Sequence, residues 1–173
     1  MIELVRTRRS IRSFTDQPVD RESVNLLMET LLRAPSSRNQ KPWSFVAVDD
    51  REILDRLSRA KEHGSAFLKK APLGIVVLGD PARSDVWIED CSIAAVLAQM
   101  VAQSLGLGSC WIQIRERRHD ADKSAQEYVR EVLGIPEGLM VASIVAVGHP
   151  AEQRAPVGAG ELDWSKVHHN GWK

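Results

Sequence analysis

Apolar positions along the chain change their spacing several times, and each change marks an element. Val24, Leu27, Met28, Leu31 and Leu32 recur at helical spacing behind Asp20, which is placed to cap that helix. Pro35 ends it, because the residue before a proline is pushed away from helical angles. Ser44–Val48 (SFVAV) predicts a short strand, and after the Asp49–Asp50 turn Ile53, Leu54 and Leu57 mark another helix. Leu73–Leu78 (LGIVVL) is apolar without interruption, as expected of a strand covered on both faces. A long apolar helix follows, roughly Ile88 to Leu105, stopped by Gly106. Ser109–Ile114 predicts the next strand, and Arg115–Ser124 a polar loop. Ser124 with Glu127 forms a capping-box pattern for a helix through Leu133, closed by Gly134 and Pro136. Leu139–Val147 predicts a last strand. Helices segregate around a few strands, with no glycine fingerprint of a dinucleotide fold and no strict strand–helix alternation, so the class expected is α+β.

Beyond Pro150 the pattern stops. The tail is rich in Gly, Pro and Ala and ends in DWSKVHHNGW, with Trp164 and Trp172 on a segment unable to fold alone. Two tryptophans on such an arm need an apolar groove, on a neighbouring subunit or on the arm's own body. A single domain over 1–173 is expected, with arm 150–173 packing on a neighbouring subunit or on its own body.

The 173 residues carry 23 basic and 23 acidic side chains, so the chain is formally neutral. Neutrality argues against general nucleic-acid binding, which needs a basic surface. Cys91 and Cys110 are too few for a disulfide framework or a zinc knuckle. The opening MIELVRTRRS lacks the apolar core of a secretory signal, and a cytoplasmic location is expected. Cys91 to Ile114 is free of charge and long enough to span a bilayer. Gln99, Gln103, Ser104 and the late glycines instead fit a helix buried on nearly all sides within protein, with no membrane role. The five histidines do not sit at metal-ligand spacing with acids or cysteines, so no metal is expected.

Against this neutral background, four of the seven residues Arg6–Arg12 are arginine. Forked guanidiniums match a phosphate monoester, and the Ser10 hydroxyl adds a neutral donor. If the segment is extended, Arg8, Ser10 and Arg12 share a face while Ile11 and Phe14 anchor it. Charge alone leaves a solvated basic patch as the simpler reading. A second stretch, Ala34–Trp43 (APSSRNQKPW), combines a turn rich in small hydrogen-bonding residues with an aromatic backing. Alone it is a helix-to-strand connection. A third, Leu105–Trp111 (LGLGSCW), has glycines that let backbone amides approach a ligand, or that merely cap a helix.

In that order, the three stretches resemble the nitroreductase family of flavin mononucleotide (FMN) oxidoreductases. The resemblance runs over most of the chain, including YVREVLGIPEGLMVASIVAVGHP and the closing SKVHHNGW. It implies an α+β, intertwined homodimer with a mostly antiparallel sheet and FMN at the subunit interface. By motif match, Arg8, Arg9, Ser10 and Arg12 would hold the phosphate and ribityl end. Pro35, Ser36, Ser37 and Asn39 would meet the flavin from the partner chain, and Leu107, Gly108 and Ser109 would lie near its reactive edge. Arg154, after GHP, stands where the family often has a basic phosphate ligand.

Lys41 replaces a frequent glutamine, and Arg115–Ser124 is short where larger members carry a helical lid. The chemistry implied is hydride transfer from NADH or NADPH through flavin N5 to a small-molecule acceptor such as a nitroaromatic or quinone. Turnover would be ping-pong, with no side chain acting as a catalytic nucleophile. Other flavin chemistry on the same fold remains open (reductive dehalogenation, azoline oxidation, flavin fragmentation), as does a non-turnover FMN-binding redox module.

Overall fold

The computed structural model describes residues 1–172. Four antiparallel strands form one sheet in the order β1-β2-β4-β3. They are β1 (Trp43–Val48), β2 (Leu73–Gly79), β3 (Gly108–Gln113) and β4 (Met140–Gly148). Five helices accompany them: α1 (Ile2–Thr7), α2 (Arg21–Leu32), α3 (Arg51–Ser58), α4 (Trp87–Ser104) and α5 (Ala125–Leu133). The sheet is sandwiched. On β2, Leu73, Ile75 and Val77 pack with α2 and α4. Val76 and Leu78 point the other way, to Leu54 and Leu57 of α3 and Val129 of α5. Two-sided burial explains why this strand reads as an unbroken apolar run.

Local chemistry sets the element ends, at Asp20, Ser124 and Gly134 as expected and at Asp50 in addition. Asp20 accepts a hydrogen bond from Ser23 N, and Asp50 from Glu52 N and Ile53 N. Ser124 and Glu127 form both halves of the capping box, and Gly134 closes α5 in the left-handed conformation at φ 63°.

Three features differ from the sequence pattern. The first turn of the chain is helix α1, so Arg6 belongs to a helix and only from Arg8 (φ −62°, ψ 133°) is the backbone extended. Its turns carry no periodic core face, since none of its residues is buried. Helix α4 is not covered all round within one chain: Ala94, Ala95 and Ala98 face the sheet, while Ile93 and Val96 are about half exposed. The arm is tied to its own body at its root, through Ala151 N on Ser13 O and Arg9 on Ala155 O, and is exposed beyond it. Residues 153–167 are all exposed, with two short turns at Ala159–Glu161 and Trp164–Lys166. Among the described residues, no helix is long and apolar enough to cross a membrane.

Candidate functional site

The arginine segment is built into the edge of the sheet. Ser10 pairs with Ser109 as a parallel bridge, and Ile11 N donates to Ser109 O at 3.0 Å. Farther along, Thr15 N donates to His149 O and Ala151 N to Ser13 O, both at 2.9 Å. The strip is thus clamped between the start of β3 and the exit of β4. Ile11 is buried, and a Cβ on Gly108 would lie 2.9 Å from its side chain. The glycine at 108 therefore makes room for the protein's own strip.

Side chains alternate along this extended backbone. Ser10 lies in hydrogen-bonding reach of the Cys110 sulfur, and Arg8 and Arg12 bring positive charge to the same thiol. Burial raises the Cys110 pKa, and those three neighbours oppose the rise. The Arg12 guanidinium lies 6.0 Å from the centroid of Phe67. Among the described residues, neither Arg8 nor Arg12 forms an ion pair with a carboxylate. Two guanidiniums without counter-ions beside a hydroxyl make a cationic face suited to a multiply charged oxyanion.

Arg9 and Arg154 are differently engaged. Arg9 is turned to the arm, where it donates to Ala155 O. Arg154 Nε and Nη2 lie 3.1 and 3.0 Å from Glu152 Oε2. Glu152 Oε1 accepts from Arg12 N at 2.6 Å and Ser13 N at 3.2 Å. The amide of Arg12 and then the Arg154 guanidinium hold the Glu152 carboxyl below the usual carboxylate range. Sequence reasoning missed Glu152; its signal was an acid two residues before the candidate basic ligand. A groove of about 320 Å³ runs here, lined by Arg9, Leu107, Gly108, Glu152 and Arg154 among others. Ser109 itself is buried within β3, opposite Val147.

The second stretch has an unusual backbone. Arg38, Asn39 and Lys41 all have positive φ (50°, 56° and 48°) without being glycine. Asn39 N donates to Ser36 O, Gln40 N to Ser37 O, and Lys41 N to Ser36 Oγ. Ser37 N donates to the buried carboxylate of Asp90 at 2.9 Å. Gln40 Oε1 is a buried oxygen with no hydrogen-bond partner among the described residues, and Lys41 is exposed. Trp43 is buried behind the loop, as its aromatic backing role requires.

Register separates this loop from the arginines within one chain. Ser109 lies opposite Val147, and Val147 opposite Leu73, at one end of the sheet. Trp43, which follows the loop, lies opposite Gly79 at the other end of the same strand. From Leu73 to Gly79 the strand advances about 20 Å. One chain therefore brings Arg8, Ser10 and Arg12 together with Leu107, Gly108 and Ser109. It leaves Pro35, Ser36, Ser37 and Asn39 at the opposite end.

The model of the nitroreductase family matches residues 5–63 and 59–149. The chain belongs to the nitroreductase family. An FMN-dependent nitroreductase from Clostridium difficile R20291 superposes with a TM-score of 0.97 at 43% identity, covering 99% of both chains. A protein of Archaeoglobus fulgidus, provisionally named NADH dehydrogenase/NAD(P)H nitroreductase, is 35% identical over 99% of this chain and 98% of its own. An FMN reductase [NAD(P)H] of Bacillus subtilis is 27% identical over 90% of this chain and 68% of its own. The first two likenesses, at 99% of this chain, take in all three stretches singled out by sequence, and the family model, which ends at residue 149, takes them in as well.

Proposed function

We propose that this nitroreductase-family chain is an FMN-dependent NAD(P)H oxidoreductase. It works as a homodimer with each flavin between the arginine strip of one chain and the Ser36–Asn39 loop of the other. The observation that carries the reading is the split site. Unneutralised Arg8 and Arg12 stand at one end of the sheet, and the left-handed loop stands about 20 Å away at the other. A two-fold partner lets opposite ends of two sheets meet. Apolar surface with no cover in one chain supports that partner: Ile2 and Val5 on α1, Ile93 and Val96 on α4, and Val157, Leu162, Trp164 and Trp172 on the arm.

The residues fit the cofactor. Arg8 and Arg12 hold its phosphate with Ser10 as a neutral donor, while buried Ile11 and Phe14 fix their backbone. Arg9 braces the arm. Arg154 adds little net charge, being paired with Glu152. Leu107 and Gly108 form the wall against which Ile11 packs. From the partner, Pro35, Ser36, Ser37 and Asn39 supply donors and acceptors for a planar heteroaromatic edge. The chemistry FMN supplies when bound is electron exchange between NADH or NADPH and an acceptor such as a nitroaromatic or quinone. The chain's own part is to bind, orient and exclude water, and no side chain is assigned a covalent role. The two free, buried thiols Cys91 and Cys110 agree with a reducing cytoplasm.

Two measurements test the reading. Arg8→Ala and Arg12→Ala are each expected to weaken FMN binding by roughly tenfold to a hundredfold, the loss of one charge-assisted contact. The FMN-loaded protein, mixed anaerobically with NADH or NADPH, is expected to lose its visible absorbance. Unchanged FMN affinity in both variants, or no bleaching with either nicotinamide, overturns the reading.

A further inference from the structure

We infer that Asp90 is a positioning residue, a buried carboxylate that sets the Ser36–Lys41 loop in the place from which it meets the flavin. The inference rests on the reading above that this loop faces the cofactor.

Asp90 is only 3% exposed and has no basic ion-pair partner among the described residues. It sits in the first turn of α4, where the helix end favours an anion. Its two carboxylate oxygens accept from Ser37 N at 2.9 Å and from Ser84 Oγ at 3.3 Å. Its charge is felt nearby: burial first, and Asp90 second, push the Cys91 thiol up to about 12.

The loop needs such an anchor. Left-handed backbone at Arg38, Asn39 and Lys41 persists only where surrounding structure over-determines it. The bonds from Asn39 N, Gln40 N and Lys41 N all close on Ser36 or Ser37, so they give the loop shape without placing it on the body. One end is placed by Asp80 N, which donates to Pro42 O at 2.9 Å. For the middle, the bond between Ser37 N and Asp90 is the one side-chain hydrogen bond from another element among the described residues. A backbone N–H given to an ionised acceptor is stronger than one given to a neutral group, and that strength suits a single tether.

The test compares Asp90→Ala, Asp90→Asn and Asn39→Ala in the full chain. The readouts are FMN dissociation constant, the visible spectrum at saturating FMN, kcat and KM for one quinone, and the melting temperature. Asp90→Ala is expected to weaken FMN binding about tenfold or more and to shift the flavin spectrum. Asp90→Asn keeps an acceptor oxygen and is expected to stay within about threefold. Should Asp90→Ala fail to fold, Ser37→Pro cuts the same bond from the loop side. Ser36 is already extended (φ −142°, ψ 155°), as a residue before proline must be, and Ser37→Ala serves as its N–H-retaining control. If Asn39→Ala weakens FMN while Asp90→Ala or Ser37→Pro only lowers the melting temperature, the positioning role is overturned and the loop reading stands. If all leave FMN binding and spectrum unchanged, the loop reading falls and takes this inference with it.

Discussion

Strand β4 and the arm are neighbours in sequence and opposites in structure. From Val141 to Gly148 every residue is buried; from Gln153 to Val167 every residue is exposed. Both carry apolar side chains, and the arm's charges at Arg154, Glu161, Asp163 and Lys166 do not by themselves leave its Val157, Leu162 and Trp164 uncovered. Backbone bonding distinguishes them. β4 has a hydrogen-bonding strand on each side, β2 and β3, and each of its faces meets a helical layer. The arm has glycines and prolines that break any period and no strand beside it, leaving Trp164 and Trp172 70% and 88% exposed. Apolar residues find a core in their own chain only when their backbone is also satisfied there. When it is not, the same residues become a surface for another chain.

Removing the arm tests that contrast most severely. Ending the chain at Pro156 leaves Glu152 and Arg154 in place but deletes both arm tryptophans. The expected product keeps its far-ultraviolet dichroism, becomes monomeric by light scattering, and retains FMN roughly a hundredfold less well, since the proposed flavin site draws residues from two chains. A truncated chain that stays dimeric and yellow would falsify the assignment of the arm to a partner. The body is broken differently. A Cβ at Gly79 would lie 2.3 Å from the Trp87 ring and 3.0 Å from Cys91 Sγ, where α4 packs on the end of β2. Gly79→Val is expected to cost about 3 kcal/mol, read from the denaturant midpoint of the FMN-free protein. A loss below about 1 kcal/mol would mean that α4 can shift at no great expense. Trp164→Ala should be milder, about 2 kcal/mol in dimer dissociation, with sedimentation as the readout. An unchanged dissociation constant would move the contact elsewhere on the arm.

This contrast also explains what was legible in the sequence. The elements of the body carry their own punctuation: Asp20, Ser124 with Glu127, and Gly134 each act within four residues, so pattern alone located them, while Asp50 showed only as part of a turn. The Arg8–Ser10–Arg12 face was legible because an extended strip obeys a period of two. Helix α1 was not, because it buries nothing and leaves no periodic trace. The half-exposed stripe of Ile93 and Val96 was read as core, because a sequence does not say which chain covers a residue. Glu152 and Asp90 were invisible for a related reason. Each acts on a backbone amide far away in sequence, of Arg12 at a separation of 140 residues and of Ser37 at 53, and such contacts exist only once the sheet has formed. Sequence leaves Gly108 two readings, access for a ligand or the end of a helix, and the folded chain adds a third constraint, Ile11 lying against it.

Glu152 offers the smallest and most local test, because it ties the root of the arm to the body. Its carboxylate holds Arg12 N, Ser13 N and Arg154 together, and those contacts lower its pKa below the ordinary 4.5. A carboxyl whose pKa is lower folded than unfolded binds fewer protons in the folded state. Its contribution is therefore complete above the ordinary carboxylate range and is lost as pH falls through the lowered value. Hydrogen exchange of the Arg12 and Ser13 amides, corrected for intrinsic rates, should accordingly be slow at neutral pH and quicken only as the pH falls below the ordinary carboxylate range. Glu152→Gln keeps an acceptor but loses the charge. Exchange there should be a few-fold faster at neutral pH and flat through the acid range, with the melting temperature of the body nearly unmoved. If the variant keeps the wild-type acid dependence, another carboxylate sets it, and the arm's root is tied down by Ala151 N on Ser13 O and Arg9 on Ala155 O.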